Sequence, residues 1–168
     1  MTKITENTIE TFCIELLEKQ GYEYIYAPDI APDKVNGEAR EGALGYSDKT
    51  LRSDFDDVLL SSRLSDAVDR INPTISLEAR QEAIKEISRI HSPELLSNNE
   101  RFHRLLTEGV KVSYQKDGNQ RGDLVWLVDF ANPENNDFVV ANQLTVIENG
   151  VNKRPDVVLF VNGLPLVV

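Results

Sequence analysis

Residues 154–168 read Arg154-Pro155-Asp156-Val157-Val158-Leu159-Phe160-Val161-Asn162-Gly163-Leu164-Pro165-Leu166-Val167-Val168, and they decide the class of fold. An apolar, largely β-branched run, an Asn-Gly pair and a second apolar run make a hairpin, because Asn and Gly tolerate the positive φ that a two-residue connection demands. The same grammar runs upstream. Val110, Val112 and Tyr114 alternate with polar residues as far as Asp117-Gly118. Leu124 to Phe130 and Phe138 to Ile147 are apolar runs bounded by Asn132-Pro133 and Asn149-Gly150. This period of two, punctuated by turn residues, predicts an antiparallel meander over about 110–168.

Before Gly109 the period is helical. Ile9, Phe12, Cys13, Leu16 and Leu17 share one helix face, with Asn7 and Glu10 resembling a capping box at its start and Gly21 placed as its C′ residue. Tyr22 to Tyr26 reads as a short strand. A helix over about 54–71 carries Leu60, Leu64, Ala67, Val68 and Ile71 and stops at Asn72-Pro73. Another starts from Ser76 as N-cap, and a fourth covers about 98–107. Helices over about 7–107 followed by strands give an α+β class. Residues 27–50, with Pro28, Pro32, Gly37, Gly42 and Gly45, read as a mobile loop.

The chain has 168 residues, 40% of them hydrophobic, which suffices for one ordinary domain over 1–168. No apolar run reaches the length of a membrane span, the start lacks a signal-peptide pattern, and a single cysteine excludes an internal disulfide. The expectation is therefore a cytoplasmic protein without a membrane partner. Net charge is −10, with 13 basic and 21 acidic residues up to Gly109 but 5 and 7 after it. Charge alone gives no support for binding nucleic acid.

Few residues carry obvious chemistry. There is no Gly-rich phosphate loop ending in Lys-Ser or Lys-Thr, so no ATP site of that kind lies in this stretch. His91 and His103 lack metal-ligand spacing, and Cys13 and Trp126 fit apolar packing positions. Asp156 is different, because strands disfavour Asp at the head of an apolar run. It reads either as a solvent-exposed end to the Pro155 turn or as a functional carboxylate. Leu164 to Val168 carries no polar cap or turn after it, and reads either as a docked terminal strand or as a cut made inside a domain.

The Arg-Pro-Asp run with its Asn-Gly-Leu-Pro-Leu-Val-Val continuation resembles the nuclease core of type I restriction R subunits. So do Gly21-Tyr22, the run Arg52-Ser53-Asp54-Phe55-Asp56-Asp57-Val58-Leu59-Leu60, and Asn72-Pro73. Further on, Phe102-His103-Arg104-Leu105-Leu106 with Gly109-Val110, Val128-Asp129-Phe130 with Asn132-Pro133, and Asn142-Gln143 follow in the same order. The resemblance implies a restriction-endonuclease-like core of the PD-(D/E)-x-K nucleases, cut short here. It pairs an Asp heading one strand with a Glu-x-Lys on the next, around Mg2+. Pro155-Asp156 matches the first half, and the second would follow Val168. Asp156 is then the expected metal ligand and catalytic carboxylate. Glu10, with Glu6 as a looser candidate, would be an assisting acid, and Lys153 and Arg154 would meet DNA phosphate. A two-residue turn at Asn162-Gly163 would put Asp156 opposite position 169, and a three-residue turn opposite position 170.

The resemblance also implies double-stranded DNA as substrate, and methylation and specificity subunits as partners. ATP would act only through translocase domains outside this stretch, and the 168 residues alone would be inactive. A non-catalytic DNA-binding or subunit-docking module of the same fold is the alternative.

Overall fold

The computed structural model describes residues 5–32, 52–90, 94–116, 118–148 and 150–168. Four helices and eight strands are described: α1 (Glu6–Lys19), β1 (Glu23–Tyr26), α2 (Ser61–Ile71), α3 (Leu77–Ser88), α4 (Leu95–Glu108), β2 (Val110–Lys116), β3 (Asn119–Val125), β4 (Phe138–Asn142), β5 (Val146–Glu148), β6 (Val151–Lys153), β7 (Val157–Val161) and β8 (Leu164–Val167). The α+β class holds. Contacts gather into two compact units, one of Met1–Arg63 with Asp137–Val168, the other of Leu64–Asn136. No described helix is long and apolar enough to cross a membrane.

The first unit is built on a four-stranded sheet in the order β1-β4-β7-β8. Instead of one meander, the strands after Gly109 fall into this sheet and two separate hairpins, β2-β3 and β5-β6. The early strand β1 enters the sheet parallel to β4, while β4-β7 and β7-β8 are antiparallel. One sheet face carries Ile25, Val139, Ala141, Val158 and Phe160, packed with Ala27, Ile30, Leu60 and Leu144 into a buried core. The β7-β8 connection is the expected two-residue turn, with Asn162 at φ 53° and Gly163 at φ 76°. Asn162 is also fully buried, because its Oδ1 accepts the Asp137 N–H (2.8 Å) while its own N–H donates to the Asp137 carbonyl (2.8 Å).

Helix α1 begins and packs differently from the expectation. Its N-cap is Thr5, whose side chain accepts from the Thr8 N–H, so the Asn7–Glu10 capping box is not the one used. Its end follows the pattern read from Gly21: the Gly21 N–H reaches the Glu18 carbonyl and the Tyr22 N–H the Leu17 carbonyl, with Gly21 at φ 97°. Ile9, Phe12 and Leu16 are exposed, whereas Ile14 is buried and Glu10, Cys13 and Leu17 are half-buried. The inner stripe is thus Glu10-Cys13-Ile14-Leu17, also at i, i+3, i+4, i+7, turned away from the most apolar face.

Helix α2 starts at Ser61 rather than near 54 because the backbone before it is engaged elsewhere. Arg52 is buried and donates from Nε to the Asp57 carbonyl (2.6 Å), from Nη1 to Thr145 (2.7 Å) and from Nη2 to Phe55 (2.8 Å). Burial lowers its guanidinium pKa, an effect partly offset by Asp57, Asp56 and Asp54. The Leu60 N–H donates to the Gly163 carbonyl (2.9 Å), pinning this segment to the β7-β8 turn. Arg63 bridges Asp137 (2.9 Å) and Glu23 (2.8 Å). Of the stretch expected to be a mobile loop, Ala27–Ile30 is a 3-10 helix with Ala27 and Ile30 buried, and residues 33–50 lie outside the described residues.

In the second unit, α3 starts from Ser76 as expected, and α4 runs from Leu95 rather than 98. Gly109 at φ 76° turns α4 into β2. The β2-β3 pairing joins Lys116 to Asn119 across the predicted tight turn, of which Asp117 is outside the described residues. The run Leu124 to Phe130 is a strand only to Val125. Asn72 then takes both backbone groups of Trp126, accepting its N–H (2.8 Å) and donating to its carbonyl (2.8 Å). Trp126 is accordingly part-exposed rather than a strand-core residue.

Candidate functional site

The site stands where β4 ends and β7 begins. Asn142, the last residue of β4, pairs with Val157, the first of β7. The next residue, Gln143, leaves the sheet with φ 57°. Its N–H nevertheless donates to the Asp156 carbonyl (3.1 Å), so the ladder gains one further bond at the head of β7. The run Phe138 to Ile147, expected to be one strand, is broken here because a left-handed residue cannot continue a pleated strand. Asp156 itself is an exposed bend residue directly before β7.

Glu10 reaches the same place from α1. Asn142 Nδ2 donates to Glu10 Oε1 (2.8 Å), and Gln143 Nε2 lies 3.3 Å from Oε1 and 3.4 Å from Oε2. Tyr24 Oη donates to Asn142 Oδ1 (2.9 Å). The structure therefore brings Glu10 and Asp156 to one sheet end, linked through Gln143. Lys153, at the end of β6, and Arg154 are exposed in the approach to β7. The side chain of Glu6 and the whole of His91 lie outside the described residues, and His103 is exposed on α4. Cys13 is half-buried.

Among the described residues, the carboxylate donors at this end are Glu10 and Asp156, and such oxygen ligands suit a hard cation that retains several waters. Among the described residues, no three His, Cys, Asp or Glu side chains form a metal-holding group. Among the described residues, Glu10 and Asp156 are two carboxylate-bearing residues at this end of the sheet. Asp156 and Glu10 were expected at the site from the sequence, whereas Tyr24, Asn142 and Gln143 had no role assigned. The signals were the polar Asn142-Gln143 doublet after an apolar run and its place in the resemblance.

The β7-β8 register bears on the second half of the motif. Val161 pairs with Leu164 and Phe160 with Pro165, but Leu159 pairs with Val167 across a bulge. The two-residue turn is therefore combined with a one-residue shift. Continued along β7, this register would set Asp156 opposite position 170 rather than 169.

A second concavity, of about 360 Å³, lies in the other unit, lined by Ile71, Thr107, Trp126, Val128, Asp129, Phe130 and Ala131. It is mainly apolar. Its one carboxylate, Asp129, accepts from Asn135 Nδ2 (2.8 Å), from the Asn132 N–H (2.9 Å) and side chain (3.3 Å), and from the Ala131 N–H (3.1 Å). Those donors, Asn135 first, lower its pKa. Asp129 organises a loop, so the polar chemistry sits at the β4-β7 end.

Residues 3–168 match the family described as type I restriction enzyme R protein N terminus. The chain is 36% identical over 166 residues to the type I restriction enzyme HindI endonuclease subunit of Haemophilus influenzae, covering 98% of this chain and 14% of that one. It is 30% identical over 170 aligned positions to the putative type I restriction enzyme MjaIXP endonuclease subunit of Methanocaldococcus jannaschii, covering 99% of this chain and 15% of that one. The chain thus spans about a seventh of the length of these curated relatives.

Proposed function

The chain belongs to the family of type I restriction enzyme R protein N termini, and on that premise we propose that it is the nuclease portion of a restriction subunit that hydrolyses phosphodiesters of double-stranded DNA. The observation that carries this reading is the exposed carboxylate of Asp156 at the head of β7, hydrogen-bonded through its backbone to the residue that also holds Glu10. A magnesium ion, when bound, neutralises phosphate charge and activates water. Asp156 would supply an oxygen ligand to it, and Glu10 would assist from α1.

The register of the β7-β8 hairpin sets the next requirement. A Glu at position 170, on the continuation of β8, would stand opposite Asp156 and share its face of the sheet. A Lys two residues later would lie on that same face, suited to orienting or deprotonating the attacking water. The 168 residues alone hold half of such a site and would bind magnesium weakly without cutting DNA. Lys153 and Arg154, exposed and close in sequence to Asp156, would meet backbone phosphate. In this reading the complete subunit couples cutting to ATP-driven translocation through further domains. It assembles with methylation and specificity subunits in the cytoplasm.

The test is nicking of supercoiled plasmid by the complete subunit in its assembled enzyme, with and without Asp156→Ala. Loss of cutting with ATP-driven translocation retained is the expected result. Cutting at the normal rate by Asp156→Ala would overturn the assignment.

A further inference from the structure

Glu10 poses a physical problem that the motif does not address. It occupies the inner stripe of α1, where an apolar residue would pack against the sheet at no electrostatic cost. A half-buried carboxylate needs donors, and it has two side-chain amides from consecutive residues, Asn142 and Gln143. The Asn142 amide is in turn oriented by Tyr24, whose hydroxyl fixes Oδ1 as acceptor and so turns Nδ2 toward Glu10. The Gln143 amide is delivered by a left-handed backbone, φ 57°, which costs a non-glycine residue of this kind about 1–2 kcal/mol. That strained residue contacts both carboxylate-bearing residues, Glu10 by its side chain and Asp156 by its N–H. Anchoring a helix requires neither the strain nor the relay; tying the Glu10 carboxylate to the backbone that carries Asp156 explains both.

We propose that Tyr24, Asn142 and Gln143 are positioning residues that fix the Glu10 carboxylate at the sheet end where Asp156 stands, so that the two act on one metal-bound phosphodiester. The proposal rests on the nuclease reading above. The amides occupy part of the Glu10 oxygen surface and leave other lone pairs open, since a carboxylate offers about four acceptor sites. Partners that orient a metal site in this way typically contribute about 10–100-fold to metal affinity or activity.

The experiment measures manganese(II) binding to the complete subunit by electron paramagnetic resonance, without nucleotide, alongside plasmid nicking and thermal unfolding. Four variants are compared with the unaltered protein: Asp156→Ala, Asn142→Ala, Gln143→Gly and Tyr24→Phe. Gln143→Gly keeps the left-handed backbone and its N–H, and Tyr24→Phe removes only a hydroxyl, so both remain informative if Asn142→Ala folds poorly. Asp156→Ala is expected to abolish both the site's manganese binding and nicking. Gln143→Gly and Asn142→Ala are expected to weaken manganese binding and slow nicking by about 10–100-fold, with Tyr24→Phe smaller in the same direction. If Asp156→Ala abolishes binding but the other three bind manganese as tightly as the unaltered protein, whatever their thermal midpoints, the network is only a helix anchor and the proposal is wrong. If Asp156→Ala itself binds and cuts normally, the nuclease reading falls and takes the proposal with it.

Discussion

Asn72→Ala should be among the most damaging single substitutions in the second unit, although Asn72 touches no candidate site residue. The side chain is 4% exposed and makes three hydrogen bonds at 2.8 Å: Nδ2 to the Val68 and Trp126 carbonyls, and Oδ1 from the Trp126 N–H. Each neutral bond contributes about 1 kcal/mol net, so losing all three costs about 2–4 kcal/mol. Against a total stability of about 5–15 kcal/mol this is a large share. Trp126 is the sole tryptophan, so its fluorescence reports the loss where it occurs. In urea, with a slope of about 1–3 kcal/mol per molar, the unfolding midpoint of the 168-residue chain should fall by about 1 M or more. Asn72→Asp should be worse at neutral pH, because a carboxylate then faces two carbonyl oxygens. Its folded pKa would be raised, so the defect should shrink as pH falls toward the unfolded Asp value of about 3.9. A shift in Asn72→Ala below about 0.5 kcal/mol, typical of an idle surface position, would refute the reasoning.

Two further outcomes follow from local geometry. Asp129 should titrate below the ordinary aspartate value of about 3.9 by NMR. A depressed folded pKa contributes stability present above the unfolded value and lost as pH falls through the folded one, so Asp129→Asn should flatten stability loss only at strongly acidic pH. Gly109→Ala should destabilise the α4-β2 junction by about 1–3 kcal/mol in thermal unfolding. The residue sits at φ 76°, and a Cβ there would lie 3.0 Å from Leu124 Cδ1 and 3.2 Å from the Val125 carbonyl.

Local punctuation was legible in the sequence; engagement of the backbone at a distance was not. The Asn162-Gly163 turn, the Gly21 helix end and the Ser76 cap were readable because each depends on a few neighbouring residues. The early end of β3 depends on Asn72, far upstream, and the late start of α2 on the Arg52 guanidinium. The parallel seat of β1 beside β4 is a non-local choice that periodicity cannot express. On α1, hydrophobic periodicity favoured the stripe of Ile9, Phe12 and Leu16, yet the sheet receives the stripe that includes Glu10. The site was legible to the same extent. Asp156 and Glu10 could be proposed from resemblance, but the amides that hold Glu10 lie more than a hundred residues from it and resemble ordinary loop polarity.

Whether Asp156 holds a catalytic metal can be read from anomalous diffraction by manganese in crystals of the complete subunit. A manganese peak is expected in contact with an Asp156 carboxylate oxygen at the head of β7, shared with a carboxylate on the continuation of β8, with Glu10 still held by Asn142 and Gln143. An active enzyme whose manganese sits elsewhere, with Asp156 free in solvent, would contradict that role for Asp156.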